Sequence, residues 1–306
     1  MSIFQIQNSK LIAIRDKDVE LEKDIQKLTE ENLETVFGLQ FIRTEFPLGD
    51  FRIDTLAFDN ESNSFVIIEY KRDRSFSVID QGYSYLALML NNKADFILEY
   101  NEKLQTNLRK DDVDWSQSRV IFLAKSFNRY QQNAINFRDL PIELWEVKNY
   151  DNSTILYNQL LSPEAKESVK SITRNKTIEN VTKEVKVYTI EDHTNHINKD
   201  TRDLFEMIRE KILALGGNIE ERPKKKYIAY RTHQAFLYVH IQQSQIKLHI
   251  IIGKSKLNDP KGITRDVSKV GHYGGGVTEI VLTKMEEISY IMTLIEQSFN
   301  SSKSSF

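Results

Sequence analysis

Between Asp18 and Gly38, apolar residues recur at Leu21, Ile25, Leu28, Leu33, Val36 and Phe37 among charged positions. This spacing predicts an amphipathic helix that Gly38 ends. Three extended segments follow, at 39–46, 51–59 and 64–71. The last two flank Asn60-Glu-Ser-Asn63, a turn composition that closes them into a hairpin. Helical spacing returns from Val78 to Leu90 through Tyr83, Leu86, Ala87 and Leu90. Runs at 95–100, 119–125, 142–147 and 154–157 read as strands and 130–137 as a helix, giving an α-β-β-β-α-β order with additions.

From Ser162 to about Val185 the chain is dominated by Lys, Glu, Ser, Thr and Asn without a sustained period, the pattern of a partly helical linker. A second unit starts near Tyr188. It holds a helix at 200–215 stopped by Gly216-Gly217, strands at 227–231, 235–241, 246–252 and 278–283, a helix at 285–299 and a loose tail at 301–306. The expected layout is an α/β domain at 1–160, with a mixed sheet flanked by helices, a linker at 161–187 and a smaller α+β domain at 188–306. No internal repeat interrupts it.

The longest apolar runs, such as Phe236 to Ile241 and Leu248 to Ile252, are strand-sized, far below the roughly 18 residues a membrane span needs. The first ten residues lack the basic and apolar regions of a secretory signal. A cytoplasmic protein with no membrane partner is the expectation.

Composition narrows the chemistry. At 306 residues, 40% hydrophobic and 28% charged, the chain belongs to the soluble globular class, with two domains as the natural division. It has no cysteine, which removes disulfides, thiolate metal sites and cysteine nucleophiles. All six histidines lie beyond residue 190, so a reaction in the first part must rest on carboxylates and lysine. Residues 191–306 carry 17 Lys+Arg against 14 Asp+Glu, and residues 1–190 carry 25 against 30. Neither balance compels a nucleic-acid partner, so local patches must carry that case.

The hairpin supplies the first such patch. With 60–63 as its turn, Asp54 falls opposite Glu69 and Arg52 opposite Lys71. Alternation places Asp54, Leu56, Phe58, Phe65, Ile67, Glu69 and Lys71 on one face and Ile53, Ala57, Val66, Ile68 and Tyr70 on the other. Both faces are largely apolar, as in a central strand pair. Two carboxylates about 5 Å apart repel by roughly 3 kcal/mol at an effective dielectric of 20. A divalent cation between Asp54 and Glu69 would offset that, and oxygen-only ligands favour Mg²⁺ or Mn²⁺. Lys71, two residues on, would serve an attacking water and stabilise developing phosphorane charge. The same residues also suit a plain ion-pair cluster at a strand end.

Asp54 with Glu69-Tyr-Lys71 in a helix-strand-strand-strand-helix order resembles the PD-(D/E)xK, restriction-endonuclease-like, nuclease superfamily. Gln81-Gly-Tyr-Ser-Tyr85 is similar to the Gln-x-x-x-Tyr helix motif of its RecB-like branch, and residues 18–158 are broadly similar to archaeal NucS-type endonuclease domains. The resemblance implies that Asp54 and Glu69 hold the metal, that Lys71 assists water attack, and that Gln81 positions water or backbone, with Tyr85 on the same helix face. It also implies an acid from the first helix, for which Glu22 fits and Glu34 is the alternative. One departure is visible: Ile53 rather than proline precedes Asp54, and Asp50 after Gly49 is a substitute for the acid.

The second half resembles an uncharacterised bacterial domain family through Ile219-Glu-Glu-Arg-Pro-Lys-Lys-Lys-Tyr-Ile-Ala-Tyr230, Asp259-Pro-Lys-Gly-Ile-Thr-Arg-Asp266 and Val270-Gly-His-Tyr-Gly274. Proteins of this two-part layout have been labelled predicted transport proteins, but no residue pattern supports solute carriage. Lys224, Lys225, Lys226 and Arg231 interleave with Tyr227 and Tyr230, so phosphate contact and base stacking are open to them, as is simple solvation of a strand end. His193 and His196 stand three apart without evident further ligands, and Gly274-Gly-Gly276 reads as a flexible turn.

Together these readings predict a Mg²⁺-dependent nuclease acting on nucleic acid, with DNA favoured by the resemblance and a homodimer common for such folds. The alternatives are a non-catalytic binding or scaffold protein retaining the nuclease fold, and an interaction protein whose function resides in its C-terminal domain.

Overall fold

A computed structural model describes residues 3–17, 22–71, 77–135, 137, 139–161, 167–168, 175–216, 218–271 and 273–303, with the side chain of Glu22 outside that set. The chain divides after Val187 into two units. Among the described residues no helix is long and apolar enough to cross a membrane.

The first unit opens with a separate antiparallel hairpin, β1 (Ile3–Gln7) and β2 (Lys10–Ile14), then β3 (Asp16–Lys17), α1 (Glu22–Glu31) and α2 (Leu33–Phe37). Next come β4 (Gln40–Leu48), β5 (Phe51–Asp59), β6 (Ser64–Lys71), α3 (Val78–Asn91) and α4 (Lys93–Leu104). The unit closes with β7 (Arg119–Ala124), α5 (Arg129–Ala134), β8 (Ile142–Tyr150), β9 (Ile155–Leu160) and α6 (Lys176–Glu184). Its mixed sheet runs β3-β8-β7-β6-β5-β4, with β9 also paired to β8. Strands β4 to β6 are antiparallel, whereas β6, β7 and β8 are parallel and joined by helical crossovers.

The turn chemistry fixes the β5–β6 register. Asp59 accepts hydrogen bonds through Oδ1 from the amides of Glu61 (3.0 Å) and Ser62 (3.1 Å), and Asn63 takes a left-handed φ of 49°. The ladder then runs from Asp59↔Ser64 to Thr55↔Ile68, the register expected from the sequence. Leu56, Phe58, Phe65 and Ile67 pack with Val78, Leu86, Met89 and Phe96 of α3 and α4. Ala57, Val66, Ile68 and Tyr70 pack with Leu33 and Phe37 of α2 on the other face. The sheet is thus covered on both sides, which is why its central strands read as continuous apolar runs.

Several expectations are corrected. Ile53 packs with Phe46 and Leu48 on the α3/α4 side, not with Ala57. Glu45, at φ 50°, falls between the pairs Thr44↔Thr55 and Phe46↔Ile53, and the register of the two strands shifts between Phe41 and Arg43. Residues 95–100 are helical within α4, because Phe96, Tyr100 and Leu104 form an i, i+4, i+8 stripe on the core while Leu98 stays exposed. Residues 176–184 of the expected linker form α6, which buries Ile178 and Val181 in the first core.

The second unit contains α7 (Ile190–Thr194), α8 (Lys199–Leu213), β10 (Glu220–Pro223), β11 (Ile228–Arg231), β12 (Ala235–Ile241), β13 (Ile246–Ile250), β14 (Arg265–Asp266), β15 (Thr278–Leu282) and α9 (Ile288–Lys303). The sheet order is β10-β11-β12-β13-β15-β14, antiparallel throughout. Leu204, Phe205, Ile208 and Ile212 of α8 and Ile288, Ile291, Ile295 and Phe299 of α9 bury one face of that sheet. Strand β10 escaped the sequence reading because Glu-Glu-Arg-Pro is charged and ends in proline, a composition confined to edges. The helix expected to end at 299 continues to Lys303, so 301–303 are not tail, and residues 304–306 lie outside the described set.

Candidate functional site

Where the antiparallel and parallel halves of the first sheet meet, β6 ends in Glu69, Tyr70 and Lys71. Loops at the carboxyl ends of parallel strands are where ligands collect in open α/β sheets. The β5–β6 ladder stops at Thr55↔Ile68, and beyond it the Asp54 side chain replaces a backbone partner, Oδ2 accepting from the amide of Tyr70 at 2.9 Å. Glu69 is 5% exposed, and its Oε1 accepts from Lys71 Nζ at 2.6 Å and Gln81 Nε2 at 3.3 Å. Gln81 also donates to the Tyr85 hydroxyl at 3.2 Å, one turn along α3.

Helix α3 can lie this close to the sheet because position 82 is glycine. A Cβ there would stand 2.4 Å from Ile142 Cδ1. Ser77 caps the helix by accepting the amide of Asp80, so Gln81 sits in its first turns and turns back to the strand end.

The electrostatics follow from burial. Desolvation first, then the Glu69 carboxylate, push the Asp54 carboxyl up from 3.8 to about 6, against the lowering influence of the Tyr70 amide and Lys71. Burial and the neighbouring Glu69 likewise raise the Tyr85 hydroxyl well above its ordinary value, so it stays protonated. Glu69 Oε2 is buried with no hydrogen-bond partner. An orphaned carboxylate oxygen beside a second, desolvated carboxyl fits a hard cation, and an all-oxygen donor set selects Mg²⁺ or Mn²⁺. Among the described residues no group of three or more His, Asp or Glu is arranged to hold an ion, so Asp54 and Glu69 would need water to complete a shell.

The other sequence candidates scatter. Glu22 opens α1, and its side chain lies outside the described residues. Glu34 and Asp50 are exposed, and Arg52 pairs with Glu45 at 2.6 Å rather than standing by Lys71. The helix does reach the site, but through residues the sequence reading passed over. Gln26, 8% exposed, donates from Nε2 to the Asp54 carbonyl (3.0 Å), Glu30 Oε1 (3.1 Å) and Thr44 Oγ1 (3.2 Å). The available signal was a polar i, i+3, i+4 set, Gln26, Thr29 and Glu30, on the stripe that continues to Leu33.

In the second unit the basic stretch does not act as a block. Tyr227 is buried, its ring edge-on to Tyr238 at 5.5 Å. Arg231, 9% exposed, donates from Nη2 to the carbonyl of His233 at 2.7 Å. Tyr227 and Arg231 are therefore core and turn residues rather than a nucleic-acid surface. Lys225 and Lys226 are exposed and Lys224 is half-buried. His193 is buried with Nε2 2.7 Å from the Lys224 carbonyl while His196 is exposed, so the two share no ligand geometry.

A family model described as a domain of unknown function (DUF5655) matches residues 190–302. A relative from Haemophilus influenzae, described as an uncharacterized protein, is 45% identical over 298 residues, 97% of this chain and 99% of that protein. Among solved structures the chain is similar to the EndoMS-dsDNA2 complex, at 19% identity and a TM-score of 0.27, over 44% of this chain and 50% of that one. It is also similar to a repair endonuclease from Pyrococcus abyssi, at 19% identity and a TM-score of 0.22, over 39% and 44% of the two chains. A third likeness is to Pyrococcus furiosus SfsA in complex with Ca²⁺, at 14% identity and a TM-score of 0.25, over 51% and 69%. The chain spans about half the length of the two endonuclease structures.

Proposed function

The chain belongs to the family of its full-length Haemophilus influenzae relative, and we propose that its first unit is a metal-dependent nuclease of the PD-(D/E)xK type, hydrolysing phosphodiester bonds of DNA. The observation that carries this reading is the pairing of a buried Glu69, one oxygen orphaned, with an Asp54 carboxyl raised to about 6, beside Lys71. A structural ion-pair cluster has no use for an unpartnered oxygen, whose burial costs about 1–3 kcal/mol.

Asp54 and Glu69 would hold Mg²⁺ or Mn²⁺, which when bound supplies Lewis acidity and an activated water. Lys71, anchored on Glu69 Oε1, orients that water and meets the charge that develops on a phosphate oxygen. Gln81 fixes the same oxygen from the helix side and leaves Oε2 for the ion. Tyr85 keeps Gln81 in place and remains a neutral donor.

The test is cleavage of plasmid and oligonucleotide DNA with Mg²⁺, Mn²⁺ or EDTA. Asp54→Asn and Lys71→Met should each lower the rate at least about 100-fold while the far-ultraviolet spectrum is unchanged. Wild-type rates in both variants would refute the assignment.

One observation favours the non-catalytic alternative: Lys71 and Glu69 neutralise each other at 2.6 Å. Calorimetric titration with Mn²⁺ separates the two, since a self-neutralised pair takes up no ion that depends on Asp54.

A further inference from the structure

In the second unit the helices cover one face of the sheet, and the opposite face carries chemistry that the nuclease reading leaves unused. Pairing across the strands sets Tyr238, His249, Glu279 and Arg265 in one row on that face, with His240 opposite Lys247 in the next row. Glu279 is 7% exposed. Its Oε2 lies 3.2 Å from both Lys247 Nζ and His249 Nε2, and its Oε1 3.6 Å from Arg265 Nη1. One buried carboxylate thus gathers two permanent cations and leaves a local excess of positive charge.

The triple-glycine segment lies directly on this row. A Cβ at 274 would stand 2.7 Å from the Tyr238 ring, at 275 2.8 Å from its hydroxyl, and at 276 2.7 Å from the His249 backbone. The segment is therefore a fitted cover rather than the flexible turn its composition suggested. It delivers Tyr273, 47% exposed, whose ring stands perpendicular to that of His240 at 5.5 Å and has the Lys226 ammonium 5.9 Å from its centroid. Burial, then Lys247, His193 and Lys226, hold the His240 imidazole below its ordinary value.

We propose that this face binds a nucleotide, its phosphate held by Lys226, Lys247 and Arg265 and its base stacked on Tyr273. Exposed cations around an exposed ring, at the rim of the glycine cover, are what phosphate contact and base stacking need. The nucleotide is either free or one unit of a strand. The site is independent of the carboxylates of the first unit.

The test uses the full chain in EDTA, with fluorescence anisotropy of a labelled oligothymidylate and competition by AMP, unlabelled oligonucleotide or inorganic phosphate. Lys247→Gln/Arg265→Gln should weaken binding about tenfold or more and reduce the salt slope by about 1.5. Lys226→Ala and Tyr273→Ala change exposed side chains, keep the fold, and should each weaken binding about fivefold. Competition by AMP assigns a free nucleotide, and competition by oligonucleotide alone assigns a strand; either supports the site. Asp54→Asn should bind as wild type while failing to cleave, which separates this proposal from the nuclease reading. Absence of binding by the wild type, or unchanged affinity in Lys226→Ala and Tyr273→Ala, overturns it.

Discussion

Replacing Asp54 by Asn should stabilise the protein. The native carboxyl titrates at about 6 against an ordinary 3.8, so between those values the folded state holds a proton that the unfolded chain has released. Stability therefore falls as pH rises through that window, and the full penalty applies above about pH 6. Converted at 1.36 kcal/mol per pH unit, the rise amounts to about 3 kcal/mol, and partial solvent access trims this to about 2–3 kcal/mol. Asparagine keeps an oxygen for the Tyr70 amide and discards the charge. Both tryptophans, Trp115 and Trp145, lie in the first unit, so urea unfolding followed by their fluorescence reports that unit alone. In EDTA at pH 7.5 the variant should exceed wild type by about 2–3 kcal/mol, and at pH 4 the gap should close to under about 1 kcal/mol. Mn²⁺ at 100 times its dissociation constant should return about 2.7 kcal/mol to the wild type and nothing to the variant. A variant no more stable than wild type at pH 7.5, or a gap that ignores pH, would refute the reasoning.

Two further substitutions probe the frame of the site. Gln26→Leu removes the donor shared by Asp54, Glu30 and Thr44, so stability should drop by about 1–3 kcal/mol and Mn²⁺ affinity about tenfold; calorimetry showing wild-type affinity contradicts the role given to Gln26. At the far end of the sheet Arg119 joins Asp59 and Glu143, each at 2.8 Å, and Arg119→Met should cost about 3–5 kcal/mol in urea unfolding by stranding buried Asp59 without its cation; a loss under about 1 kcal/mol argues against that.

Local rules carried the sequence reading wherever one physical term dominated. The Asn60 to Asn63 turn and period-two alternation were enough to place β5 against β6 in the observed register, because a slip of one residue would turn Phe58 and Phe65 away from the aromatic cluster of α4 and onto the α2 face. The helical spacing of α3 and the apolar runs of β6 and β7 were legible for the same reason. Short segments with competing signals were not. Asp95 to Tyr100 holds a short apolar run that a strand or a helix could carry, and its docking on Phe46 and Phe65 goes with the helix. Tyr227 and Arg231 look like binding residues in a basic stretch, but their fate depends on partners at Tyr238 and His233 that no local pattern reveals. The reach of Gln26 was hidden because a polar residue on a helix is ordinarily solvated, and its acceptors lie on β4 and β5.

Asp54 and Glu69 belong to a single hairpin, closed by a four-residue turn and held by its own ladder. Their approach is therefore a short-range property of the chain, which neither long crossover is needed to define. Segments inserted after β6 or β7 lengthen loops at little entropic penalty and leave the acidic pair in register. The scaffold around the two acids can lengthen while the hairpin that carries both keeps its pairing.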